Sequence, residues 1–310
     1  MLNDIKKISF LIAAHNEEKI ISKTLDNLLA IPYKNYEVLV GLDGCTDNTL
    51  EIVKEYSKKS KKFKYFVLNL RNGKTEVINF LITKTKGEII IINDADWIFN
   101  VGDKNNFEEL IKLFDNKEIG GVAESFPITY PLHKHSKLLE AGMTIQNKLW
   151  MEYIKSFATK FDDKWIVLDK NKFPLLVNIF RKKLFVENKT LGDDFERCIY
   201  IFSQNKEVIA TNDIHLPRMI SIGETYRFNQ IIRQKERTAI ARNQLKGELK
   251  GKKLGSFGLV LFTIKNLPNL TIKEFFGLCF VGLAFTLGTI KSLLSSKTST
   301  KEGWKMRLKR

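Results

Sequence analysis

The 310-residue chain predicts an α/β fold, a mostly parallel sheet with helices on both faces. Over the first hundred residues, short apolar runs rich in β-branched residues alternate with amphipathic stretches, the pattern of crossover-linked strands. Each run ends in a polar cluster, and ligands bind such sheets outside the carboxyl ends of their strands. A hydrophobic content of 44% with 28% charged residues suits a folded chain that buries one large core or two modest ones.

Strands are predicted over residues 8–13, 36–40, 65–70 and 88–93, with helices over 17–29, 47–56 and 74–82 between them. The stretch Glu88-Ile89-Ile90-Ile91-Ile92-Asn93-Asp94-Ala95-Asp96 organises the rest. Read as a buried strand, it places Asp94 and Asp96 on one face and Ala95 on the other. Two carboxylates on one face repel unless a cation lies between them, and a divalent metal carrying a phosphate-containing ligand is such a cation. The same residues also suit a polar turn that caps a helix. The other strand ends read Ala14-His15-Asn16-Glu17-Glu18, Leu42-Asp43-Gly44-Cys45-Thr46-Asp47-Asn48 and Arg71-Asn72-Gly73-Lys74. Any one of these is ordinary turn chemistry; four on one sheet edge point to a site.

Beyond residue 105 the pattern loosens. A helix is expected over 107–114, a short strand over 119–123 and a long helical stretch over 137–161, with a strand and turn over 173–185. Trp150, Phe157, Phe161 and Trp165 read as core, with the lining of an acceptor groove as the other reading. Leu191-Gly192-Asp193-Asp194-Phe195-Glu196-Arg197 opens a further helix. A basic helix over 229–250 precedes two apolar segments, 254–264 and 275–290.

The net charge of +16 is unevenly placed: residues 231–310 hold 17 Lys and Arg against 4 Asp and Glu. The remainder is close to neutral, which excludes a large footprint for nucleic acid. The basic excess brackets the apolar segments and fits an anionic membrane surface. The second segment falls short of the roughly 20 apolar residues of a spanning helix. A hairpin, or helices lying in the interface, keeps the charge on one face, so the expected location is the cell membrane with the catalytic part on the cytoplasmic side. Three cysteines, odd in number and far apart, argue against a disulfide scaffold or a zinc site. No signal peptide is expected, because the early apolar run over 8–14 is too short.

These motifs resemble glycosyltransferase family 2, inverting enzymes that use nucleotide-diphosphate sugars, over roughly residues 6–245. Ala14-His15-Asn16-Glu17-Glu18 is similar to the family's Ala-Tyr-Asn-Glu segment beneath the nucleotide. Asp43-Gly44-Cys45-Thr46-Asp47 resembles its Asp-Gly-Ser-Thr-Asp turn, with Cys45 for serine, and implies that Asp43 contacts the base or ribose. Gly73-Lys74, with Asn79, resembles the Gly-Lys…Asn segment that supports the donor. Asp94-Ala95-Asp96 matches the metal motif. The fold implied is a Rossmann-like sheet of GT-A type.

The resemblance also implies roles. Asp193-Asp194 is similar to a Glu-Asp pair whose second member is the catalytic base, so Asp194 is the candidate, beside the reading of a carboxylate at a helix N-terminus. Arg233-Gln234-Lys235-Glu236-Arg237-Thr238 resembles a Gln-x-x-Arg-Trp motif, with Thr238 in place of tryptophan. Donor-side candidates are therefore Ala14, Asn16, Glu17, Asp43, Arg71, Lys74, Asp94 and Arg237, with Asp193 and Gln234 on the acceptor or diphosphate side. Mg2+ or Mn2+ is expected on Asp94 and Asp96, with His215 a further candidate ligand. His133-Lys134-His135 reads as a surface loop.

The expected division is a catalytic domain over 1–250, with a nucleotide-binding half over 1–104 and an acceptor half over 105–250, and a membrane-associated tail over 251–310. The expected function is inverting transfer of a sugar to a lipid-linked or glycan acceptor. Its competitors are a nucleotidyltransferase of similar fold and a non-enzymatic basic protein that binds membrane or nucleic acid.

Overall fold

The computed structural model describes residues 6–102, 104–123, 137–172, 174–187, 189–211, 213, 217–222, 227–245 and 256–294. Its first four strands are β1 (Ile8–Ala14), β2 (Tyr36–Asp43), β3 (Phe63–Leu68) and β4 (Ile89–Ile92), joined by α1 (Ile21–Leu29), α2 (Thr49–Lys59) and α3 (Lys74–Ile82). They pair in parallel in the order β3-β2-β1-β4, with Ala14 opposite Leu42, Asp43 opposite Leu68 and Leu11 opposite Ile92. Every residue of β1, β2 and β4 is buried, which is why they read as unbroken apolar runs. Alternation along each strand divides the core. Phe10, Ile12, Val38 and Val40 pack with Leu25 and Val53 on one face. Leu11 and Leu39 meet Val77 and Leu81 on the other.

The second half adds β5 (Trp97–Asn100), α4 (Lys104–Lys112), β6 (Ile119–Ala123), α5 (Lys137–Lys155), β7 (Thr159–Lys160), β8 (Trp165–Val167), β9 (Val177–Arg181), α6 (Asp193–Ser203), β10 (Glu207–Thr211), β11 (Arg218–Ser221) and α7 (Phe228–Leu245). Strand β9 enters antiparallel between β4 and β6, giving a nine-stranded sheet in the order β3-β2-β1-β4-β9-β6-β10-β8-β7. A separate antiparallel ribbon pairs β5 with β11. The chain ends its described part with α8 (Ser256–Asn266) and α9 (Ile272–Leu294), and α9 packs along α5 and α7.

The structure departs from sequence expectation at three places. The helix expected over 17–29 begins at Ile21, because residues 17–18 are hydrogen-bonded instead to the turn after β2. The stretch expected to be helical through 161 stops at Lys155. There Asp162 accepts hydrogen bonds from the amides of Lys164 and Trp165 and turns the chain into the β7–β8 hairpin. Trp165, 1% exposed, belongs to the core, as does half-buried Trp150 beside it in sequence pattern but on the other face of the sheet. Finally, β5 follows the aspartate pair immediately, a four-residue strand too short for periodicity to reveal.

Candidate active site

Strand β4 ends at Ile92, and Asp94-Ala95-Asp96 forms the turn into β5. Strand alternation therefore does not set their directions; hydrogen bonds from three other elements do. Thr24 of α1 donates to the Ala95 carbonyl (2.7 Å), and the Ile222 amide, just after β11, donates to the Asp96 carbonyl (2.9 Å). The Asn93 side chain donates to the carbonyls of Asp94 and Trp97 (both 2.9 Å). The turn is held through its backbone carbonyls. Asp96 is 7% exposed.

Asp43 at the end of β2 is fully buried, and its carboxylate clamps the next loop. Oδ1 accepts the Asn72 amide (2.7 Å) and Oδ2 the Gly73 amide (2.9 Å). Gly73 has φ +100°, a backbone only glycine adopts comfortably, and it starts α3. The first residue of α3 is Lys74, whose ammonium lies 2.6 Å from Asp94 Oδ1. A chain of contacts thus runs from β2 through a strained glycine to the aspartate turn.

The segment after β1 is bound to the same loop. Asn16, with φ +56°, donates to Thr46 Oγ1 (3.0 Å) and accepts the Thr46 amide (2.8 Å). His15 Nδ1 donates to the Asp43 carbonyl (2.6 Å), and the Glu17 amide donates to Thr49 Oγ1 (2.8 Å). Cys45 Sγ donates weakly to the Ala14 carbonyl (3.5 Å), and burial raises its thiol pKa. Arg71 is half-buried in the loop that Asp43 clamps. Ala14, Asn16, Glu17, Asp43, Arg71, Lys74 and Asp94 therefore gather at the carboxyl ends of the parallel strands.

Asp193 and Asp194 open α6, where the helix dipole favours negative charge. Asp193 is 3% exposed and lies 3.1 Å from Arg197 Nη2, one turn along the helix. Desolvation pushes the Asp193 carboxyl up, but the positive charges of Lys74, Arg197 and Arg237 outweigh it and hold the group below its ordinary value. Its neighbour shifts the other way. Burial first, and then the Asp193 charge, raise Asp194 above the usual carboxylate range. One carboxyl is pinned as an anion and the next is moved towards neutrality, the separation that acid–base chemistry uses.

Arg197 is the functional residue that the motifs did not mark. It is completely buried, donates from Nε to the Val177 carbonyl (2.9 Å) and from Nη2 to Asn178 (3.0 Å), and sits over the Phe180 ring. It ties the α6 N-terminus to β9. An acid followed four residues later by a base on a helix was the signal available. Arg237 of α7 reaches the Leu191 carbonyl (3.3 Å), beside Asp193. Gln234, one turn earlier, is half-buried, and its carbonyl oxygen is buried without a hydrogen-bond partner among the described residues. His215, His133 and His135 lie outside the described residues.

The donor set fits a hard divalent ion. Asp94 and Asp96 offer only oxygen, and the Lys74 ammonium on Asp94 marks where positive charge is accepted. Among the described residues no three His, Cys, Asp or Glu side chains group as a metal site. That suits an ion completed by water and diphosphate oxygens.

Comparison with known proteins bears on the family and the fold. Poly-beta-1,6-N-acetyl-D-glucosamine synthase of Staphylococcus epidermidis is 32% identical over 118 residues, 38% of this chain and 28% of that protein. Probable glycosyltransferase YdaM of Bacillus subtilis is 26% identical over 208 residues, 65% of this chain and 48% of that protein. The chain thus spans between a quarter and a half of the length of these relatives. Among solved structures, mannosyltransferase PcManGT from Pyrobaculum calidifontis, in complex with GDP-Man and Mn2+, aligns with a TM-score of 0.63 at 15% identity, covering 95% of this chain and 89% of that one. Staphylococcus aureus TarS 1-349 aligns with a TM-score of 0.53 at 13% identity, covering 98% and 93%. These two share the fold. Residues 9–171, just over half of the chain, match the family described as glycosyl transferase family 2, and the chain belongs to that family.

Proposed function

We propose that this protein transfers a sugar from a nucleotide-diphosphate donor to a lipid-linked or glycan acceptor at a membrane, with inversion at the anomeric carbon. One observation carries the reading. Lys74 pairs with Asp94 and also acts electrostatically on Asp193 and Asp194, so a cation-balanced carboxylate and a pair of carboxyls of opposite shift share one place. Relatives and neighbours support the donor class. TarS has been solved in complex with UDP-GlcNAc, and PcManGT with GDP-Man and Mn2+.

The Asp43-clamped loop and the Asn16–Thr46 pair form the floor on which the nucleotide lies. Asp94 and Asp96 would hold Mg2+ or Mn2+, which would supply Lewis-acid neutralisation of the diphosphate. Lys74 and Arg237 add fixed positive charge there. Asp194 takes the proton from an acceptor hydroxyl, whose oxygen then bonds to the anomeric carbon. The bond from that carbon to the phosphate oxygen breaks as this forms, and the nucleoside diphosphate leaves with the electron pair. A single displacement inverts configuration and uses no enzyme nucleophile. Arg197 keeps Asp193 ionised beside the base.

The test is release of nucleoside diphosphate from a panel that includes UDP-GlcNAc and GDP-Man, with Mg2+ or Mn2+, with and without membrane lipid extract. Transfer that depends on Asp94 and Asp194 is expected. Release of pyrophosphate would instead favour nucleotidyl transfer, and full activity of Asp94→Ala and Asp194→Asn would overturn the mechanism.

A further inference from the structure

We infer that α8 and α9 lie in the plane of an anionic bilayer, seated in its headgroup region, and do not cross it. The inference deepens the membrane part of the proposed function. Helix α9 is, among the described residues, the one helix long and apolar enough to span. Its packing argues otherwise. Gly277, Val281, Ala284, Gly288 and Ser292 are buried against the catalytic part. A Cβ on Gly142 of α5 would lie 2.1 Å from the Gly277 carbonyl oxygen, and one on Gly288 would lie 2.6 Å from the Glu236 amide of α7. Arg242 of α7 sits over the Phe285 ring. These anchor points are spread along about 16 Å of helix at 1.5 Å per residue. Over that length α9 is fastened to helices that carry Lys148, Glu152, Arg233 and Glu236, at least partly exposed to solvent. Crossing a membrane would carry those charges into hydrocarbon, which is costly.

Among the described residues, the other face of α9 carries exposed apolar side chains. Of the sixteen exposed large apolar residues among those described, twelve lie on α8 and α9. Phe276, Phe280, Leu283, Leu287, Ile290 and Leu294 recur at helical spacing. Tyr153 of α5 meets Phe262 of α8 at 5.6 Å between ring centres, so both helices are held to one support. The occupant is set by charge. Lys265, Lys273 and Lys291 are exposed around the apolar face, and residues 246–255 and 295–310 together add ten Lys and Arg against two Glu. A second copy would bring the same lysines together across a two-fold interface, whereas anionic headgroups complement them.

The seat places the active site at the membrane surface. Helix α7 packs on α9 through residues 232–236 and reaches the site through Arg237, so about one helix diameter, roughly 10 Å, separates them. An acceptor hydroxyl carried just above the headgroups meets Asp194 at that height.

The test uses the full chain and vesicles of phosphatidylcholine, alone or with ~30% phosphatidylglycerol. Co-flotation with the anionic vesicles is expected, weaker with neutral ones. Leu283→Glu with Ile290→Glu should reduce it at least tenfold while leaving the circular dichroism and melting unchanged. Single cysteines at 276, 283 and 290, in a Cys45→Ser, Cys279→Ser background, are labelled with a fluorophore and quenched by lipids brominated at known depths. Equal shallow depth at all three is expected. A profile deepest at 283 means spanning and overturns the inference, as does a concentration-dependent dimer that fails to float. Nucleoside diphosphate release in detergent separates the two readings. For the unsubstituted chain, absent flotation with release present sinks only the membrane seat, and absent release with flotation present sinks only the transferase.

Discussion

Asp193 and Asp194 are adjacent in sequence yet electrostatically opposite: burial raises both, Lys74, Arg197 and Arg237 outweigh it at Asp193, and the Asp193 charge adds to it at Asp194. Because burial and the Asp193 charge raise Asp194, the base is protonated at a higher pH than an ordinary carboxylate. Activity should be present above that raised value and fall as pH drops through it, with an apparent pKa that belongs to the pair. A pH–rate profile should therefore show an acid limb above the usual carboxylate range. Asp194→Asn should lower kcat by about 10²–10⁴-fold with donor binding retained, measured by steady-state kinetics and donor titration. Lys235 is the other displaced group: 6% exposed, it is lowered to about 8 by burial and by Arg242. The unfolded lysine holds its proton up to a higher pH than the folded one, so stability rises with pH between those two values. Lys235→Met should raise Tm at pH 7 by roughly 2–4 °C, a gain that shrinks as pH climbs past 8.

At the level of elements, the site is built where helices begin. Helix α3 starts at a glycine whose φ of +100° is tied to Asp43 by its own amide. Gly73→Ala should cost about 1–3 kcal/mol in thermal or denaturant melts and raise KM for the donor, because Lys74 follows directly. Helix α9 is fastened by glycine as well. A Cβ on Gly277 would lie 2.4 Å from the Leu138 carbonyl oxygen, so Gly277→Val should push α9 from α5. Faster limited proteolysis within residues 256–294, with the catalytic sheet still protected, is the expected sign. The helices α1, α2 and α3 were legible because each buries one apolar stripe. Strands β5 and β7 were not, since pieces of four residues and two residues carry no period and exist through their partners β11 and β8.

For the whole molecule, the parallel half supplies the donor edge, and α6 with α7 brings the acid and the arginine to it from the second half. Chelation of divalent ions by EDTA should abolish transfer and added Mn2+ restore it, while Asp94→Ala shows no restoration, read as released nucleoside diphosphate. The same second half carries α9, which packs on α7, so the proposed membrane seat and the candidate site share that helix.

The sequence by itself determined the fold class and the four polar strand ends, because period and turn chemistry are local properties written in neighbouring residues. It also singled out Asp94, Asp96, Asp194 and the basic, apolar tail as candidates. Only the tertiary structure decided that Asp94 and Asp96 sit in a turn held by α1 and β11, that Lys74 meets Asp94, and that Lys74, Arg197 and Arg237 together lower the Asp193 pKa. It alone showed that α9 is bound along its length to α5 and α7. Such pairings join residues from 4 to more than 100 positions apart, and which of them form is decided by packing and by the burial of charge, neither of which a linear pattern contains.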